Sequence, residues 1–223
     1  MGGLAKRATM MDRLDPDGTA LRFDTGNLVS EISVEEDFAA IADIYDHLDY
    51  DAVVPGVGDS VLYLSDSVWS HRIPWLSDEG PYLYEWPGGV IRLQAFSSYW
   101  LPESMAAEAD TVTEPAREDD DTLRVWLANM DRGELKLLLD RMPNPDVVFL
   151  GPSDYIAPSP DTLQQTLVLS TGDEGMDLLS VKIERNGNGG FRVHPSWHNL
   201  DPDVPEDPVV KGMIEAGSTD DSR

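Results

Sequence analysis

His194 and His198, four residues apart in the run HPSWHNLDPD and followed by Asp201, form the one cluster in this sequence with metal-ligand side chains. Two histidines at this spacing share an ion when both lie on one face of a helix. Pro195 disfavours the helical conformation at His194, and the segment continues a strand-like run. In a strand, residues four apart lie on one face but about 13 Å from each other. His194, His198 and Asp201 are therefore metal candidates only if the chain turns sharply at Ser196. Without that turn they are surface or capping groups.

Other chemical signatures fail on inspection. DPDGTALRFDTG suggests a calcium loop, but Arg13 stands where the loop needs an acid or amide, and no Glu closes it. GPSDY lacks the second glycine of a nucleophile elbow. GNGG lacks the helix and the Lys-Ser/Thr of a phosphate loop. With 42 acidic residues, paired carboxylates carry no specificity for acid–base chemistry. The absence of cysteine excludes disulfides, thiolate catalysis and cysteine-held zinc or iron–sulfur clusters. The catalytic expectation is none, and no cofactor is implied.

Aromatic residues concentrate in WSHRIPWLSDEGPYLYEWPGG. In a strand, Tyr82, Tyr84 and Trp86 share one face, while Leu83 and Glu85 share the other. Such a face is expected to pack inward or against a neighbouring subunit. With Trp69 and Trp75 on the preceding segment, it is the candidate interface.

The charge balance narrows the partners. Sixteen basic residues against 42 acidic ones give a net charge of −26. Asp outnumbers Glu two to one, Lys is scarcer than Arg, and the acidic excess recurs along the whole chain. Direct contact with nucleic acid or an anionic membrane needs Lys and Arg, and so is not expected. Weakly bound cations are expected at acidic clusters such as Glu118 to Asp121. An even acidic surface suits concentrated salt, which screens its self-repulsion, so the fold is expected to need salt. These features predict a non-enzymatic structural or protein-interaction protein of a halophile or a halophile-infecting virus, a subunit of a larger assembly with protein partners or copies of itself. The alternatives are a metal-dependent enzyme using the His194/His198/Asp201 cluster, and an acidic nucleic-acid mimic that sequesters a basic protein. The expected location is cytoplasmic, with a virion as alternative. No apolar run is long enough to span a membrane, and the N-terminal residues lack the apolar core of a signal peptide.

The elements that must position these residues can be read from periodicity. Ser33-Val34-Glu35-Glu36 fits a capping box, and Val34, Phe38, Ile41, Tyr45 and Leu48 continue as one helical stripe. Asp131 and Glu134 open a second helix that stops at Pro143. Trp86-Pro87-Gly88-Gly89 joins two β-rich runs as a hairpin, and NGNGG joins two more. The strand–helix–strand order from TLRVWLAN to DVVFLG permits a parallel crossover. The predicted class is α+β, a mostly antiparallel sheet with two main amphipathic helices, or alternatively a jelly-roll-like β-domain with inserted helices. The expected layout is a flexible basic arm at 1–14, an α+β half at 15–105, an acidic linker or loop at 106–121, an α+β half at 122–198 in the same or a second domain, and an acidic mobile tail at 199–223.

Overall fold

A computed structural model describes residues 2–28, 35–64, 68–77, 80–99, 121–151, 159–171, 175–187 and 190–218. Its centre is a six-stranded mixed sheet built from β3 (Tyr82–Trp86), β4 (Gly89–Ser97), β5 (Thr122–Asn129), β6 (Val147–Gly151), β7 (Asp161–Leu163) and β8 (Thr166–Leu169), in the order β3-β4-β5-β6-β8-β7. The α+β class holds, and the jelly-roll alternative does not. The sheet is mixed rather than mostly antiparallel as expected: the inner pairings β4–β5, β5–β6 and β6–β8 are parallel, and only the edge strands β3 and β7 pair antiparallel.

A parallel sheet must be covered on both faces, and β5 shows how its sequence meets that demand. Leu123, Val125 and Leu127 alternate into one buried cluster, while Trp126 and Ala128 enter another on the opposite face. The second cluster is closed by α4 (Arg132–Leu139), whose Leu135, Leu138 and Leu139 are buried. Its start is the expected capping box: Asp131 Oδ1 accepts from Glu134 N at 2.8 Å, and Asp131 N donates to Glu134 Oε2 at 2.9 Å. The β5–α4–β6 unit is the parallel crossover that the sequence permits.

The other face is covered by two small sheets. One pairs β1 (Phe23–Asp24) parallel with β2 (Ala52–Val53); the other pairs β9 (Asp177–Arg185) antiparallel with β10 (Phe191–Asn199). Ala52, Leu179, Val181 and Ile183 face the six-stranded sheet, whereas Val53 and Leu178 face away from it. Behind them lie α1 (Gly2–Leu14), α2 (Glu35–His47) and α5 (Pro208–Ser218), which share a core of Ala5, Ala8, Ile41, Ile44, Tyr45 and Val210. The layers are thus helix, sheet, two small sheets, helices. A short helix, α3 (Ser60–Tyr63), follows β2.

Residues 2–14 form a helix rather than a flexible arm, because Ala5, Ala8 and Met11 recur at helical spacing and pack on this core. Similarly, 199–218 is not a loose tail: Leu200, Val204 and Val210 are buried, and α5 docks on α1 and α2. Strands on either side of the expected linker pair with each other in one sheet, β4 with β5. The linker itself, except Asp121, lies outside the described residues, as do the Ser33 cap and residues 219–223.

Candidate functional site

The carboxyl ends of β1, β4, β5 and β6 meet at one edge, where open parallel sheets bind their ligands. Thr25, Ser97, Asn129 and Gly151 stand at these ends. The Asn129 side-chain amide donates to the Thr25 carbonyl, and Ser97 Oγ donates to Pro55 O at 2.6 Å in the loop after β2. Asp59 Oδ2 accepts two backbone amides, from Asn27 at 2.7 Å and Gly56 at 2.8 Å, and so ties together the loops that follow β1 and β2. Asp59, Ser97 and Asn129 are three of the five buried polar residues described. Buried polarity is costly unless satisfied, so its concentration at one strand edge marks that edge as more than packing. Glycines make the convergence possible. A Cβ on Gly26 would collide with the Val54 carbonyl and Gly56 N, and Gly26 holds φ +88°. Ser98 Oγ donates to Glu134 Oε2 at 2.7 Å, which links the end of β4 to the capped start of α4. Chemically, the edge is built of hydroxyls, an amide and backbone groups, and Asp59, Ser97 and the Asn129 amide all bond within the fold, Ser97 Oγ also accepting from Tyr99 N at 3.1 Å.

Beside this edge lies a half-buried ionic cluster. Arg7 Nη1 donates to Asp24 Oδ2 at 2.7 Å and to the Tyr50 hydroxyl at 3.0 Å, and the Tyr45 hydroxyl donates to the same Asp24 oxygen at 2.7 Å. Gly26 N donates to Asp24 Oδ1 at 3.0 Å. The two tyrosine rings stack with centroids 4.6 Å apart. Burial pushes the Tyr50 hydroxyl up to about 12 and the Tyr45 hydroxyl well above its ordinary range. Arg7 is held above its usual range by Tyr50 and then Asp24, against the opposing cost of burial. Arg7 and Asp24 also border a cavity of about 340 Å³ between the six-stranded sheet and the small sheets, floored by Ile91, Val125, Phe149 and Leu169.

The nominated metal ligands do not come together. His194 and His198 lie on β10, opposite Lys182 and Leu178. The His198 ring meets Ser180 Oγ at 2.8 Å, and His194 Nε2 lies 3.6 Å from Glu184. The Asp201 carboxylate accepts from Asp203 N at 3.0 Å, and its carbonyl accepts from Lys6 Nζ at 2.8 Å. Among the described residues, no group of three or more His, Asp or Glu is placed to hold a metal ion. The sharp turn at Ser196 does not occur, because strand pairing runs unbroken from Phe191 to Asn199.

The aromatic stretch divides between two cores. Tyr82, Tyr84 and Trp86 pack on the central sheet cluster, with Trp86 against Phe191 at 6.3 Å between centroids. Trp69 and Trp75 pack on the helical core, and the Arg72 guanidinium lies 5.9 Å over the Trp69 ring. Sequence reasoning missed Asn129, Ser97 and Asp59. The available signal was glycine turn chemistry after a short strand-like run, in FDTGN and again in VVPGVGD.

No known family profile matches the chain, and no curated protein is similar to it in sequence. Its fold, however, is shared with solved hydrolases. A sulfate thiohydrolase, SoxB, from Thermus thermophilus superposes with a TM-score of 0.69 at 13% identity, over 97% of this chain and 46% of that one. A 5'-nucleotidase precursor from Thermus thermophilus gives 0.66 at 15% identity, over 97% and 52%. The NAD nucleotidase of Haemophilus influenzae gives 0.59 at 11%, over 96% and 55%. The chain thus spans about half the length of these proteins. This finding overturns the expectation of a structural or interaction subunit of a halophile or virus, because the architecture is one carried by hydrolytic enzymes. Among the described residues, no helix is long and apolar enough to cross a membrane.

Proposed function

We propose that the chain is a hydrolase-fold domain that holds an oxyanionic ester, of the nucleotide or sulfate class, at the carboxyl edge formed by Thr25, Ser97, Asn129 and Gly151. One observation carries the reading: buried Asp59, Ser97 and Asn129 gather where the parallel strands end, the place where sheets of this kind bind ligands. The likeness to a thiohydrolase and two nucleotidases supports the ester class. The edge supplies neutral hydrogen-bonding groups, which suit orienting an ester oxygen without a matching charge.

The test is thermal denaturation and calorimetric titration with AMP, NMN and an aryl sulfate, with release of phosphate or sulfate assayed in parallel. A ligand present at a hundred times its Kd stabilises the native state by about 2.7 kcal/mol. One of the three is expected to raise the melting temperature, and Asn129→Leu is expected to abolish that rise. No shift with any ligand, or an equal shift in a folded Asn129→Leu protein, would defeat the proposal.

A further inference from the structure

The cavity beside Arg7 has the form of a missing strand. Its lining includes the short strand β1 with the residue after it (Phe23, Asp24 and Thr25) and alternate residues of β9 (Asp177, Leu179, Val181 and Ile183). β1 pairs only with β2, and β9 only with β10. The hydrogen-bond phase fixes what these edges present. Leu200 N donates to Met176 O and Asn186 N to Gly190 O, each at 2.8 Å, so the even-numbered residues of β9 turn their amides and carbonyls toward β10. The odd-numbered residues Leu179, Val181 and Ile183 aim theirs at the opposite edge, into the cavity. Pro195, which has no amide to give, stands opposite Val181 at one of the outward-pointing positions.

On β1, the carbonyls of Arg22 and Asp24 accept from Ala52 and Val54. By alternation, the amide and carbonyl of Phe23 and the amide of Thr25 point away from β2. None of these cavity-facing backbone groups has a backbone partner among the described residues. Two facing rows of open donors and acceptors over an apolar floor match one chemical object, an extended peptide backbone with apolar residues on its lower face.

We propose that this slot takes a β-strand from a partner polypeptide, joining β2-β1 and β9-β10 into one five-stranded sheet. Alternate apolar side chains of the strand sit on Val125, Phe149 and Leu169, and basic residues flank it to meet a chain of net charge −26. One end of the strand reaches Thr25, next to Asn129 and Gly151, so the docked segment borders the carboxyl edge. The inference stands on the two open edges and does not depend on the ester reading.

The probe is an acetylated, amidated heptapeptide of alternating valine and threonine between terminal lysines, studied with the full chain in high salt by amide hydrogen exchange and calorimetry. Binding is expected, together with slowed exchange at Phe23, Thr25, Leu179, Val181 and Ile183. The same peptide with alternate amides N-methylated keeps its charge and apolar face and is expected to bind at least tenfold more weakly. Equal binding of the two peptides, or none, overturns the proposal. So does slow exchange of these amides in the free monomer, which would mean that the edges are already satisfied. A concentration-dependent dimer that protects the same amides would assign the slot to a second copy and overturn the partner reading.

Discussion

Asp24 collects more buried interactions than any residue type or spacing in the sequence announces. One of its oxygens meets both a guanidinium and a tyrosine hydroxyl, and the other takes a backbone amide. Hydrogen bonds to a buried charge are worth about 1.5–3 kcal/mol each. Tyr45→Phe is therefore expected to destabilise the protein by roughly that amount, read from the urea midpoint. The tyrosines also set a pH response. The Tyr50 hydroxyl, raised to about 12 when folded, ordinarily titrates near 10 in an unfolded chain. Its contribution is complete below pH ~10 and is lost as pH rises from there toward about 12, a span worth about 2–3 kcal/mol. Urea midpoints measured across that range are expected to fall in the wild type and to fall less steeply in Tyr50→Phe. Parallel slopes in the two proteins would show that Tyr50 is not the group responsible. None of this cluster was legible beforehand, because Arg7 on α1, Asp24 on β1, Tyr45 on α2 and Tyr50 before β2 are joined only by the tertiary fold.

At the scale of elements, legibility followed local signals. The helix opened by Asp131 is where its capping box places it, and Asp131→Ala is expected to cost about 1 kcal/mol in thermal or urea unfolding. The Trp86–Gly89 hairpin and the α2 stripe were likewise written in neighbouring residues. The helix α1 was not, because its buried face is Ala5, Ala8 and Met11, small residues that carry little hydrophobic contrast beside Lys6, Arg7 and Arg13. The parallel centre of the sheet was legible only as a permitted crossover, since strand order is set by long-range pairing. The candidate site was the least legible part. Its residues come from five separate segments, and each is unremarkable alone. The glycines are its one local trace. Gly26→Ala must place a Cβ against the Val54 carbonyl at φ +88°, and is expected to destabilise by about 2 kcal/mol or more. Thermal unfolding followed by circular dichroism checks this, and a neutral substitution would show that the loops after β1 and β2 relax freely.

Over the whole molecule, the net charge of −26 opposes compaction. Neutralisation within the fold is limited. Several of the ion pairs, such as Lys182–Glu184 and Lys211–Glu206, are exposed surface contacts, which contribute little. Screening must therefore come from solution. The Debye length shrinks from about 10 Å at 0.1 M to about 3 Å at 1 M salt, so repulsion between surface carboxylates fades over that interval while the half-buried, directly bonded Arg7–Asp24 pair is less affected. We expect the urea midpoint to rise steadily between these concentrations of KCl, and equally in NaCl, since screening depends on ionic strength rather than on the ion. A rise that saturates at low salt, or that differs between the two cations, would point instead to specific carboxylate-bound ions. The same field acts on the proposed ligand. An anionic ester approaching this chain is repelled at low salt, so its affinity for the carboxyl edge should strengthen as KCl is added, the reverse of the usual trend for anions held by basic residues. Calorimetric titration at both salt concentrations measures it, and an affinity that falls with salt would mean that the ligand is bound through a local positive charge and not through the neutral groups around Asn129.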